Sequence, residues 1–277
     1  MHRFWAAAAL LLLAAAGLPG QNANGTPAIH QALERLYSFD FAGTHRILDR
    51  HLTEKPDDPL GYMVRASAYL FSELHRLGIL EAEFFVDDER ITAKKKGRPD
   101  EEVKRAMQEA LAQARRHAEV RLEANPRDED ALFTMSAVSG IETDYAALVE
   151  KRQLGSLAYA RQSQKFAVRL LDQNPHYYDA YLTAGVSEYL VGSMPFFMRW
   201  FARFDRVKGS KKQAVENLKL VAQSGTFLRP FAKILLSIIY LREKRPEESE
   251  RMLREFACEY PDNPLIRREL ARLERRH

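Results

Sequence analysis

The chain almost lacks cysteine: Cys258 is the single thiol among 277 residues. One thiol cannot close an intrachain disulfide, and no cysteine pair exists to bind zinc. Strand signals are equally scarce. No stretch sustains apolar/polar alternation, and no Asn-Gly turn joins two β-branched runs, which argues against hairpins and sheets. The short signatures of catalysis are missing as well. There is no His-Glu-x-x-His, no Gly-x-Ser-x-Gly and no glycine-rich phosphate loop. Nor does one sign of charge prevail. Lys and Arg number 42 against 38 Asp and Glu, a formal +4, and the signs are interspersed. That pattern describes solvated helix surfaces and excludes a nucleic-acid footprint. The one basic cluster, Lys94-Lys95-Lys96-Gly97-Arg98, is flanked by Asp87-Asp88-Glu89 and Asp100-Glu101-Glu102 and reads as a surface loop.

Long hydrophobic runs are absent except at the start. His2 and Arg3 precede residues 4–18, which are nearly all Ala and Leu. The run is short for a membrane span and no basic stop-transfer cluster comes after it. Ala14-Ala15-Ala16 supplies small residues for cleavage. The pattern predicts a signal peptide over 1–20, a flexible linker over 21–27 and a folded domain over 28–277. The expected location is therefore the periplasm or the exterior, with an uncleaved anchor as the rival. No cysteine follows the run, which excludes a lipoprotein anchor.

What is present is helical spacing almost throughout. It predicts helices over 28–38, 41–53, 60–77, 101–124, 130–150, 154–173, 179–191, 209–224, 227–241, 247–259 and 265–275, with a further short helix over 194–207. One phrase recurs. Asn125-Pro126 followed by Asp130, Ala131, Thr134 and Ser136 registers without a gap on Asn174-Pro175 followed by Asp179, Ala180, Thr183 and Gly185. Shorter copies begin at Lys55-Pro56 and Tyr260-Pro261. One supersecondary unit is being repeated, and each proline ends a helix because it cannot continue the hydrogen-bond ladder.

These features resemble the tetratricopeptide repeat (TPR) family, a helical hairpin of 34 residues. In the last pair Pro261 takes the terminal proline, Tyr240 the aromatic and Leu236 the preceding leucine; in the first, Pro56 is terminal and Phe41 stands at the turn. The prolines at 56, 126, 175 and 261 are spaced by 70, 49 and 86 residues, so the middle repeats are long and irregular. The resemblance is to a divergent bacterial type. It implies an all-α, right-handed helical-hairpin repeat solenoid whose first-type helices line a concave surface that binds extended peptides.

Candidate residues come from that geometry. The partner groove is expected to involve Tyr178, Tyr181, Glu188, Tyr189, Glu73 and Asp144. Glu73 and Asp144 fall at corresponding places when the copies are aligned through Pro59 and Asp130, and tyrosines bury large area with little entropy loss. His45, Asp49 and His51 are close in sequence, but His51 points away from the face the other two share, so no metal site is expected. In the 194–207 helix, Phe197, Trp200, Phe201 and Phe204 fall on one broad arc, while Arg199 and Arg203 lie on the opposite side. Such a face needs covering, either by the array or by a membrane surface. The expectation is an exported, non-catalytic scaffold that binds a protein or peptide partner in the cell envelope. It has no cofactor, no catalytic residue and no nucleic-acid partner. The alternative is a module that docks on a membrane surface through the 194–207 helix.

Overall fold

Helix starts in this chain are marked by proline and by short polar caps. In a computed structural model, which describes residues 25–80, 97–193 and 206–274, these residues form eleven α-helices and no strand. They are α1 (Pro27–Tyr37), α2 (Phe41–Glu54), α3 (Pro59–Arg76), α4 (Glu101–Ala124), α5 (Glu129–Asp144), α6 (Gln153–Gln173), α7 (Tyr181–Ser193), α8 (Lys211–Ser224), α9 (Arg229–Arg242), α10 (Pro246–Glu259) and α11 (Pro264–Glu274). Proline occupies the first or second position of α1, α3, α9 and α10, where its missing N–H costs nothing. Asp40, Asp58, Asp100, Asp128 and Ser210 cap α2, α3, α4, α5 and α8 by accepting first-turn N–H groups. The prolines at 56, 126, 175 and 261 lie in the turns after α2, α4, α6 and α10.

The backbone departs from the expected elements in two places. The helix expected over 130–150 changes winding at Tyr145, and residues Tyr145–Val149 form a π turn in which Glu150 N donates to Tyr145 O at 3.0 Å. The segment expected to open a helix at Asp179 is first a short 3₁₀ turn, Tyr178–Ala180.

The helices pair as antiparallel hairpins in chain order: α1 with α2, α3 with α4, α5 with α6, α7 with α8, and α9 with α10. Each hairpin packs on the next, through α2–α3, α4–α5, α6–α7 and α8–α9, and α11 covers α10. The repeated phrase explains one such seam. Ser136 Oγ lies 3.3 Å from Thr183 Oγ1 and donates to Ser163 O at 3.0 Å, so small hydroxyl residues let α5, α6 and α7 approach closely. At the next seam, Leu228 opens α9 without a side-chain cap, and the carboxylate of Asp179 takes its orphan N–H groups instead.

An array held only by neighbour contacts would keep its first and last hairpins apart. Here they touch. Asn263 Nδ2 donates to Tyr37 O at 2.6 Å across 226 positions, and Tyr37 OH donates to Phe227 O at 3.3 Å. The Tyr37 ring packs edge-on against Phe71 and Phe256 and tilted against Tyr260. Phe227 stacks between His30 and Phe133, with centroids 5.7 and 5.4 Å away. Tyr37, Phe227 and Phe256 are among the largest fully buried side chains. α1 is thus wedged against the C-terminal helices by an aromatic cluster.

Candidate functional site

The residues singled out as a partner groove sit largely inside. Glu73, in the last turn of α3, is 1% exposed. Its carboxylate accepts from Arg76 Nε at 2.7 Å and Nη2 at 2.8 Å, and from Asp100 N at 2.9 Å. Asp100 is the N-cap of α4, so Glu73 clasps the start of the next helix. Glu188 does the same for α8. Its two oxygens accept from Lys208 N at 3.0 Å and from Ser210 N, the cap residue, at 2.6 Å. Tyr189 is buried and donates to Glu243 at 3.1 Å, while Lys211 Nζ lies 5.6 Å over its ring. Asp144 is buried at the end of α5. Tyr178 and Tyr181 are half-buried where α7 begins. The structure therefore brings Glu188 and Tyr189 together beside the start of α8, and places Glu73 at a different hairpin. Phe197, Arg199, Trp200, Phe201, Arg203 and Phe204 lie outside the described residues.

His45, Asp49 and His51 have separate partners. His45 packs on the Tyr69 ring at 4.4 Å, Asp49 pairs with Arg65 at 2.5 Å, and His51 meets Asp58 at 2.5 Å. Among the described residues no group of three or more His, Cys, Asp or Glu is placed to hold a metal ion. Among the same residues no helix is long and apolar enough to cross a membrane.

A concavity does exist, and the sequence did not mark it. A cleft of about 350 Å³ lies between α4, the π turn and the start of α6. Met107 and Leu111 of α4 and Ala146 of the π turn give it apolar walls. Arg115 reaches across to Glu142 on α5 at 2.6 Å. Glu150, where the π turn ends, receives Lys104 Nζ from α4 at 2.8 Å and Arg152 Nη1 at 2.8 Å. Lys151 then turns the chain into α6 with a left-handed φ of 59°. Arg116, Glu119 and Tyr159 complete the lining.

Electrostatics keep this region tight. Burial raises the Glu142 carboxyl above its ordinary range, and the Arg115 guanidinium pulls it back. Tyr145 is 4% exposed, and its hydroxyl is buried with no hydrogen-bond partner among the described residues. Burial, and then the charges of Glu150, Glu73, Glu101 and Asp100, push its pKa upward, so the phenol keeps its proton. The spacing of these residues carries no pattern that sequence reading could use. Arg115 and Glu142 are 27 positions apart, and no glycine or proline flags the π turn.

No protein-family model matches the sequence, and no curated protein matches it at a significant level.

Proposed function

We propose that this chain is a non-catalytic scaffold of right-handed, TPR-like hairpins that holds a protein or peptide partner in the cell envelope, with the α4–π turn–α6 cleft as its docking place. The observation that carries the reading is where the buried carboxylates are spent. Glu73, Glu188 and Asp179 each bind backbone N–H groups at the start of a later helix, which is the work of a frame and not of an acid or base. Aromatic rings fill the seam where the ends meet, and the outer cleft offers a concave surface among the described residues that a partner can reach. Export rests on residues 4–18 and Ala14-Ala15-Ala16, and N-terminal sequencing of protein from the envelope fraction should begin between Gly17 and Gln21.

The docking place is tested by photocrosslinking in intact cells. A benzoyl-phenylalanine at Tyr159 in the cleft should trap a discrete partner, and the same probe at the exposed Lys212 of α8 should not. Equal crosslinking from both positions would remove the cleft from the reading. A turnover abolished by Glu142→Gln would remove the non-catalytic part.

A further inference from the structure

We propose that His30 is an acid-released latch: protonating this one imidazole loosens the hold of α1 on the C-terminal end of the array. The hold has a fixed half and a movable half. Phe227, in the turn between α8 and α9, is the fixed half and is 1% exposed. Its N–H ends on Asp179 at 2.9 Å and its ring stacks on Phe133 of α5 at 5.4 Å, so the rest of the array positions it without α1. α1 grips it with two residues seven positions apart, which fall on one helix face. The His30 ring stacks on the Phe227 ring, with centroids 5.7 Å apart and planes 18° from parallel, and Tyr37 OH donates to the Phe227 carbonyl at 3.3 Å. Gly25 packs against both rings: a Cβ there would stand 2.9 Å from the Phe227 ring and 3.1 Å from His30 Nε2.

A proton is poorly received there. Neutral imidazole carries one N–H and one lone pair, whereas imidazolium carries two N–H groups. His30 Nδ1 is buried with no partner among the described residues, so charging the ring places a cationic donor against apolar surface without an acceptor. Burial holds the His30 pKa below its ordinary value, and Glu34, one turn along α1, only partly offsets this. Nothing packed on the ring from other elements brings a further charge to bear. Phe227 and Gly25 are neutral, Asp179 is occupied by the backbone N–H groups behind Phe227, and Arg229 pairs with Glu259. The closed form therefore binds a proton less well than the open one. Closure is at full strength above pH of about 6.5 and weakens as pH falls through the lowered closed-state value. Release uncovers the faces of Phe227 and α1 that the closed array hides.

Amide exchange of the full chain reads the latch. Between pH of about 7.5 and about 5.5, opening of the α1 amides, corrected for intrinsic exchange, should rise at least about threefold more in the parent than in His30→Phe. That variant keeps a stacked ring and takes no proton. The titration of His30, followed by its ring NMR signals, supplies a second reading that needs no change at His30 itself. Its midpoint should lie below about 6.5 in the parent. It should rise in Tyr37→Phe, which loses the hydroxyl bond to Phe227, because coupling between closure and protonation is reciprocal. The proposal is overturned if acid opens α1 equally in the parent and His30→Phe, if His30 titrates at its ordinary value, or if Tyr37→Phe leaves the midpoint where it was. Should His30→Phe fail to fold, the two titrations decide alone.

Discussion

Three consecutive backbone N–H groups, those of Thr226, Phe227 and Leu228, end on the Asp179 carboxylate at 2.8, 2.9 and 2.6 Å. Asp179→Ala leaves all three without that acceptor in a buried seam, and the cost should be about 3 kcal/mol or more, read as a lower urea midpoint with unchanged slope. Its register mate, Asp130, has a different fate. Burial raises it from 3.8 to about 7, with Arg121 pulling it down and Asp128, Asp58 and Glu129 pushing it up. A carboxyl whose folded pKa exceeds its unfolded value releases a proton on unfolding between the two values. Its contribution to stability is therefore complete below pH of about 4 and is lost as pH rises through about 7. Asp130→Asn, neutral at every pH, should flatten that part of the curve, so that the unfolding free energy falls less steeply across this window than in the parent. An identical slope in both proteins would show that Asp130 titrates normally.

At the scale of elements, α7 and α8 meet at two glycines. α7 continues through Gly192 to Ser193, and a Cβ at Gly192 would sit 2.7 Å from the carbonyl oxygen of Gly209, which itself holds a left-handed φ of +77°. Gly192→Ala should push the two backbones apart at a cost of about 1–3 kcal/mol. Amide exchange should then quicken at residues 208–213, where Glu188 holds the start of α8, while α10 keeps its protection; unchanged exchange at 208–213 would disprove the contact. In the sequence Gly192 reads as a helix interruption, because a glycine looks the same whether it breaks a helix or admits a neighbour. Helix positions are legible there to within a few residues, since Pro59, Asp100, Asp128 and Pro246 act locally. The π turn is not, because 141–154 contains neither glycine nor proline. The cleft is not either. Periodicity reports which face of α4 is buried, but Arg115 and Lys104 find Glu142 and Glu150 on other elements, 27 and 46 positions away, and only packing brings them together.

For the whole molecule, the meeting of its ends changes how it should unfold. In an array of neighbour contacts the terminal hairpins fray first. Here Tyr37 of the first hairpin and Phe71 of the second meet Phe231, Phe256 and Tyr260 at the C-terminal end, and each large ring is worth about 1.5–3 kcal/mol in burial. Amides of α1 and α10 should therefore exchange as slowly as those of α5, and unfolding should be one transition. Tyr37→Ala should cost about 3–5 kcal/mol and separate terminal from central exchange. Fast terminal exchange in the parent would contradict the bridge. Truncation before Phe227, which nearest-neighbour packing alone would tolerate, should strip the cover from Tyr37 and Phe133 and yield an aggregating fragment. The clasp also has a consequence in time. Asn263 cannot reach Tyr37 until the ribosome has moved 226 positions on from Tyr37, on the order of tens of seconds of synthesis. Throughout that interval the side of the Tyr37 ring that Phe256 and Tyr260 later cover stays open, and a chaperone with an apolar grip has a handle on the chain that vanishes when the last helices arrive.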